Sequence, residues 1–326
     1  MPGPAEVEVP AGPGGSPVPR RPPDPVRPGE SGLGRALALL GDSWTLLILQ
    51  RAFLGVRRYG GWRTELGISD SVLAGRLRAL ATADVLAPHP YRDGGRTRHE
   101  YRLTERGLDL WALLVAIWSW ERAWVPRAEP LPDLVHRGCG QRTDVTLTCG
   151  GCGAGVTARD TAAVREPGVA LTAVAPPRLH PRRTRGTLPT DQLSWFPGTV
   201  EVLGDRWSTC VLGGALLGMR TFGAFRRELD VSPDVLSDRL RRFLAHGILV
   251  SGPDGYRLTR KGLATFPMLA VLVAWGERWL GEPGENPPLR IVHRCCRAVL
   301  DPRLGCRECG AVIARRDVGF VAPEPR

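Results

Sequence analysis

Two sets of four residues have the types and spacing of metal ligands. His136, Cys139, Cys149 and Cys152 read H-x2-C-x9-C-x2-C, and His293, Cys296, Cys306 and Cys309 repeat all three spacings. Two ligand pairs on short knuckles suit a tetrahedral ion held by one histidine and three cysteines, the habit of structural zinc. Gly140, Gly150, Gly153 and Gly310 suit the tight turns that aim two ligands at one ion. Taken as consecutive fours, the sets predict two structural zinc sites, each closed within its own segment and with no open position for catalysis. A disulfide or a ribbon without metal are the alternatives, and Cys149-Gly-Gly-Cys152 alone would also suit a redox pair. Cys295 beside a ligand is unassigned, and Cys210 reads as a core cysteine.

The other chemistry is basic. Lys and Arg number 44 against 33 Asp and Glu, a net charge of +11, and Lys261 is the one lysine. Such a balance favours anionic partners, and arginine favours bidentate contact to phosphate or guanine. A GC-rich coding bias would enrich arginine as well.

The elements that must position these residues occur twice. Leu40-Gly-Asp-Ser-Trp44 returns as Leu203-Gly-Asp-Arg-Trp207, an offset of 163 that holds through Tyr59/Phe222, Trp62/Phe225, Leu73/Leu236 and Arg76/Arg239. The offset then drops to 155, where Tyr101-Arg-Leu-Thr104 matches Tyr256-Arg-Leu-Thr259 and Trp120 and Trp124 match Trp275 and Trp279. A duplication with one shortened hairpin explains both values.

In the first copy, Leu33, Leu37, Leu40, Trp44 and Leu47 form a helical stripe that Gly41-Asp42 punctuates as a cap. A short helix around 59–66, a tight turn at Gly67-Ile68-Ser69 and a second helix follow. Ser232-Pro233 opens the equivalent helix, with proline suited to the first helical position. Two short strands, 85–91 and 99–103, flank the hairpin signal Asp93-Gly94-Gly95. A long apolar helix over about 104–124 closes the module, and Pro267 kinks its second copy or confines it to a later start. The expected architecture is mainly α with small β wings, an α+β chain of tandem winged helix-turn-helix domains. Its segments are a disordered stretch 1–30, winged helix 31–126, zinc-ribbon-like segment 127–160, basic linker 161–194, winged helix 195–282, zinc-ribbon-like segment 283–318 and tail 319–326. A linker of that length spans the roughly 34 Å between successive major-groove faces.

The helix after Ser69 buries Leu73, Leu77 and Leu80 and turns Ser71, Ala74, Gly75 and Arg78 outward. Small and polar residues let a helix enter the major groove, and Arg78 reaches phosphate or guanine. Arg76 lies on the flank of the same helix. Arg92, Arg96 and Arg98 surround the wing turn and suit phosphate contact or minor-groove insertion; Arg57, Arg58 and Arg63 add charge nearby. In the second copy the corresponding set is Ser232, Asp234, Ser237, Asp238, Arg239 and Arg241, and the wing turn 251–255 holds no arginine. Two carboxylates toward a phosphate-lined groove predict weaker DNA contact from this copy.

The segments Leu-Gly-Asp-x-Trp, Phe222-Gly-Ala-Phe-Arg-Arg-Glu-Leu229, Ser232-Pro-Asp-Val-Leu-Ser-Asp-Arg-Leu240 and Tyr-Arg-Leu-Thr-x-x-Gly resemble HxlR-type transcriptional regulators, relatives of the MarR winged helices. The resemblance covers about 33–125 and 196–281. It implies operator binding in the bacterial cytoplasm, usually by a homodimer paired through the first and last helices.

Other classes find little support. No apolar run reaches the ~18 residues of a membrane span, and no signal-peptide pattern opens the chain, so a cytoplasmic protein is expected. No phosphate loop, dinucleotide fingerprint or deaminase-like His-x-Glu is present, so no enzyme is expected. The expectation is a regulator whose fused modules imitate a homodimer on double-stranded DNA, with self-association through Trp-rich terminal helices as a further possibility and no assignable effector. The rival is a protein-interaction scaffold with little or no DNA binding.

Overall fold

The computed structural model describes residues 32–165, 198–199, 204–282, 287 and 289–323. The N-terminal stretch 1–30 and most of the expected linker, 166–194, lie outside the described residues. In the first half, helices α1 (Gly32–Leu40), α2 (Ser43–Phe53), α3 (Tyr59–Leu66) and α4 (Asp70–Thr82) precede the hairpin β1 (Leu86–Asp93) and β2 (Arg96–Leu103), followed by α5 (Glu105–Asp109) and α6 (Trp111–Trp124). The second half repeats this as α7 (Arg206–Leu216), α8 (Phe222–Leu229), α9 (Pro233–Ala245), β7 (Leu249–Gly252), β8 (Gly255–Leu258), α10 (Arg260–Leu263) and α11 (Phe266–Leu280). The long helix expected over 104–124 is therefore two helices. Pro267 sits in the first turn of α11, where its missing N–H costs nothing, so the helix starts there without a kink.

The repeated motifs have local physical causes. Asp42 caps α2 by accepting from Thr45 N at 3.1 Å, and Asp205 caps α7 by accepting from Trp207 N at 2.9 Å and Ser208 N at 3.1 Å. Thr104 and Thr259 cap the short helices after each wing, accepting from Gly107 N and Gly262 N at 3.1 Å. The glycine that ends Tyr-Arg-Leu-Thr-x-x-Gly is a matter of space: a Cβ on Gly107 would lie 2.1 Å from Val85 O, and one on Gly262 2.3 Å from Ile248 O. Ser69 and Ser232 occupy the N-cap positions of α4 and α9, yet neither side chain caps its helix. In the first core, Trp62 is fully buried and donates its indole N–H to Ile48 O at 3.1 Å, beside Leu73, Leu77 and Leu80. Burial of each such side chain contributes about 1.5–3 kcal/mol.

The two halves meet as mirror roles in one interface. Helix α1 packs along α11 at a glycine-on-glycine crossing: a Cβ on Gly32 would meet Gly276 O at 2.4 Å, and one on Gly276 would meet Gly32 O at 2.8 Å. Trp120 donates its indole N–H to Lys261 O, and its repeat equivalent Trp275 donates to Arg106 O, both at 3.1 Å. Residue i of one half contacts j of the other while j's equivalent contacts i's, the signature of a two-fold interface. Asp42 bridges its own equivalent Asp205, so the pseudo-two-fold axis passes between them. The terminal-helix tryptophans Trp118, Trp120 and Trp275 are buried within this single chain.

The ribbon segments continue the symmetry. They carry β3 (Asp133–His136), β4 (Arg142–Thr143), β5 (Val145–Cys149), β6 (Thr161–Arg165), β9 (Leu289–His293), β10 (Pro302–Cys306) and β11 (Val318–Val321). Strand β5 pairs antiparallel with its equivalent β10, Leu147 opposite Leu304, which puts the axis there as well. Strand β3 pairs with β11 from the other half, and β9 pairs with β6. The stretches 161–165 and 319–321, expected as the start of the linker and as part of the tail, thus lie in paired strands that stitch the halves together.

Candidate metal centres and nucleic-acid interface

The ligand residues do gather in fours, but not in the fours that follow the sequence. One group is His136, Cys139, Cys306 and Cys309; the other is Cys149, Cys152, His293 and Cys296. Each joins the His-x2-Cys knuckle of one half to the Cys-x2-Cys knuckle of the other, which corrects the expectation of self-contained ribbons. The reason lies in β5 and β10. Extended chain rises about 3.3 Å per residue, so the residues between the two knuckles carry the second one away from the first. The antiparallel β5–β10 pair then delivers it to the opposite half. The two knuckle types are interchangeable in spacing, so the sequence alone holds no signal for the exchange.

The geometry of each group suits one ion. Cys139 Sγ lies 3.9 Å from Cys306 Sγ and 3.3 Å from His136 Nδ1, and Cys309 Sγ is 3.4 Å from the same nitrogen. In the twin group Cys149 Sγ is 3.9 Å from Cys296 Sγ, while Cys152 and Cys296 Sγ lie 3.4 and 3.5 Å from His293 Nδ1. A tetrahedron with bonds of about 2.3 Å to sulfur and 2.0–2.1 Å to nitrogen has edges of roughly 3.8 Å between sulfurs and 3.5 Å between nitrogen and sulfur. The sulfurs stand too far apart for a disulfide, which needs about 2.05 Å. Both groups can therefore hold a metal ion.

The electrostatics favour thiolate at one cysteine of each group, Cys149 or Cys306, while Cys152 and Cys309 are raised, the backbone amides of Ala154 and Ala311 being outweighed by burial and the neighbouring cysteine sulfurs. Burial pushes Cys149 up, but the backbone amides of Gly151 and Cys152, with the Cys296 and His293 side chains, more than offset it and hold the thiol at about 7. Cys306 is likewise pushed up by burial and brought to about 6 by the Thr143 hydroxyl and the amides of Cys309 and Glu308. Metal ligation needs that deprotonated sulfur. Gly140, Gly153 and Gly310 hold left-handed backbone at the knuckles, and Arg297 adopts the same conformation, φ 59°, where the first half has Gly140. Gly150 is small for another reason: a Cβ there would lie 2.2 Å from the Asp301 carboxylate of the other half. Cys295 is exposed at the place of Gly138.

The helix pair α3–α4 presents the expected face. Ser69, Ser71 and Arg78 are exposed and Ala74 and Gly75 partly so, and a Cβ on Gly75 would meet nothing within 4 Å. Arg76 behaves differently: its Nε and one terminal nitrogen each donate at 2.8 Å to the two carboxylate oxygens of Asp42. This bidentate pair ties α4 to the cap of α2. Its equivalent, Arg239, reaches Asp205 at 2.9 Å. Arginines on the flank thus brace α4 and α9 against the pseudo-symmetry axis.

The wings differ in length and charge. Strands β1 and β2 run further than the sequence suggests, pairing Asp93 with Arg96 around Gly94 and Gly95, both at positive φ, the geometry of a tight hairpin turn. Arg92, Arg96 and Arg98 are exposed, with Arg98 3.1 Å from Asp93, and Arg58 stacks 4.6 Å over Tyr91. The second wing is a four-residue pair of strands in which Arg257 is matched by Asp254. On α9, Asp234, Ser237 and Arg241 are exposed. Asp238 is not a bare charge, because Arg239, Arg241 and Arg242 all pair with it.

Comparison with known proteins is consistent with this layout. The family described as HxlR-like helix-turn-helix matches residues 39–129 and 202–283, just over half of the chain. An uncharacterized HTH-type transcriptional regulator of Mycobacterium bovis is 45% identical over 141 residues, which are 43% of this chain and 88% of that protein. A counterpart in Mycobacterium tuberculosis matches to the same extent. An uncharacterized HTH-type transcriptional regulator of Synechocystis is 34% identical over 88 residues, 27% of this chain and 64% of its own. The solved crystal structure of PA1607 covers 40% of this chain and 92% of that one at 36% identity, with a TM-score of 0.36. The mycobacterial relatives thus align over nearly their whole length with less than half of this chain. No helix among the described residues is long and apolar enough to cross a membrane.

Proposed function

This chain belongs to the HxlR-like helix-turn-helix family, and from that premise we propose that it is a transcriptional regulator that binds operator DNA as a pseudo-dimer built within one chain. The carrying observation is the reciprocal interface, in which Trp120 and Trp275 each donate to the other half's backbone at 3.1 Å. A two-fold arrangement offers one recognition helix to each half-site, the device by which helix-turn-helix dimers read DNA. Helix α4 would enter the major groove through Ser71, Ala74 and Gly75, with Arg78, Arg92, Arg96 and Arg98 on phosphate or base edges. Helix α9 would contribute less, since its short wing holds Arg257 against Asp254. Arg76 and Arg239 would act by bracing the helices through Asp42 and Asp205.

Two zinc ions would lock the pseudo-dimer. His136, Cys139, Cys306 and Cys309 would hold one, and Cys149, Cys152, His293 and Cys296 the other. With four protein ligands each, the ions would be structural. The test is selection of bound fragments from genomic DNA by the purified chain, with mass measurement of the complex and binding repeated at increasing salt. A regulator yields a two-part, asymmetric site and an affinity that falls steeply with salt as phosphate contacts release counterions. Failure to retain any fragment at low ionic strength, with the fold intact, would leave the interaction-scaffold reading in its place.

A further inference from the structure

The internal repeat offers a direct comparison for a cavity in the second half. Its walls are α1, α7, α8, α11 and the β9–β6 pair, and the repeat equivalents of the last four are α2, α3, α6 and the β3–β11 pair. In the first half Trp118 and Phe320 meet edge to face at 5.3 Å, and Gln50 and Arg51 are 2% exposed. At the repeat-equivalent positions the second half has Val273, Ala163, Gly213 and Gly214. Four large side chains are thus replaced by small ones, and a cavity of about 680 Å³ opens there. A Cβ built on Gly213 would meet nothing within 4 Å.

The walls say what would fit. Leu37, Cys210, Met219, Phe266, Leu269 and Ile291 make an apolar lining. Burial pushes the Cys210 thiol up to about 12, so it lines the wall as a neutral group and not as a nucleophile. Charged groups are few: Arg165 pairs with Glu228 at 2.9 Å, and Arg294 donates its Nε to Thr161 O at 2.9 Å. Two guanidinium groups against one carboxylate leave the lining net positive. In the first half the equivalent carboxylate, Glu65, instead faces Arg51 at 3.5 Å, a residue the second half lacks. The volume lies within the roughly 300–1,000 Å³ of small-molecule sites, and so does the pattern of apolar walls with a few polar groups.

We propose that this cavity binds one apolar, aromatic-sized molecule bearing an acid group per chain, and that the repeat has lost the equivalent site in the first half by filling it. Ala224 and Glu228 bring α8, the helix preceding the second recognition helix, into the wall. The inference rests on the fold and not on DNA binding, so it stands or falls separately from the regulator reading.

The test uses the full chain and two probes, 8-anilinonaphthalene-1-sulfonate and its neutral analogue N-phenyl-1-naphthylamine, titrated by fluorescence and calorimetry. The sulfonate should saturate at one molecule per chain and bind at least tenfold more tightly than the neutral probe. The double variant Ala163→Phe/Val273→Trp, which copies the first half's residues, should lose at least tenfold in sulfonate affinity while keeping its circular dichroism and melting temperature. If that variant does not fold, Ala163→Phe alone should weaken binding in the same direction. Absence of saturable binding to the native chain, or equal binding by a folded filled variant, overturns the site. Equal affinity for the two probes overturns its preference for an acid.

Discussion

Exchange of ligands between the halves makes a prediction that separates it from any self-contained ribbon. In the observed grouping Cys139 and Cys309 belong to the same set of four, whereas Cys139 and Cys152 belong to different ones. The double variant Cys139→Ser/Cys309→Ser should therefore lose one metal ion and keep the other. Cys139→Ser/Cys152→Ser should damage both. The energetic consequence follows from what each ion ties together. Cys139 and Cys306 are 167 residues apart, and the chain-entropy relation for a closed loop of that size gives about 5 kcal/mol. A ribbon closed across about ten residues would give only about 3 kcal/mol by the same relation. Removing one ion should lower unfolding stability by about 3 kcal/mol in the chain-entropy account, because the remaining ion still clasps the halves and the released loop closes only about 20 residues; removing the second then releases the long loop, about 5 kcal/mol. Metal content by elemental mass spectrometry gives the stoichiometry, and urea denaturation of the same samples gives the stability. Loss of both ions from the Cys139/Cys309 variant, with one retained by the Cys139/Cys152 variant, would refute the exchanged pairing outright.

Three further outcomes are expected. Gly276→Ala should destabilise by about 1–3 kcal/mol in chemical denaturation, because its Cβ would lie 2.8 Å from Gly32 O. Helix propensity alone would make the same change stabilising by about 1 kcal/mol, so the sign decides. Glu277 accepts from Leu33 N at 3.0 Å, and burial raises its carboxyl above the usual 4.5 against the pull of that amide. A raised folded pKa means the folded chain binds this proton more tightly, so its contribution to stability is present below 4.5 and is lost as pH rises through the folded value. Melting temperatures from pH 4.5 upward should fall less steeply for Glu277→Gln than for the native chain; parallel profiles would deny that group the effect. Arg96→Ala should weaken operator binding more than Arg241→Ala and should reduce the salt slope by about one, read by fluorescence anisotropy at several salt concentrations. Equal losses would remove the asymmetry between the modules.

Much of the local structure is legible in single residues. Asp42 before an apolar helical stripe, Gly94-Gly95 between alternating strands and Thr104 three residues before Gly107 each specify a cap or a turn through short-range hydrogen bonds and backbone sterics. The duplication is legible because it needs only self-comparison. The division of the closing helix at Leu110, and the strands at 161–165 and 318–321, are less so. The first departs by a single turn from an unbroken apolar pattern, and the strands form only against partners in the other half.

The sequence by itself determined the two modules, their order, the exposed face of α4 and the eight residues that gather into two possible metal groups, since those depend on residue type and near spacing. Tertiary structure alone decided which four candidate ligands gather together, that Arg76 and Arg239 turn inward to Asp42 and Asp205, and that a cavity opens in the second half where the first carries Trp118 and Phe320. The reason is that the two halves carry interchangeable pieces. A His-x2-Cys knuckle can pair with either Cys-x2-Cys knuckle, and a strand can pair with either copy. Only the antiparallel crossing at Leu147 and Leu304, with glycine packed on glycine between α1 and α11, brings the segments from opposite halves within reach.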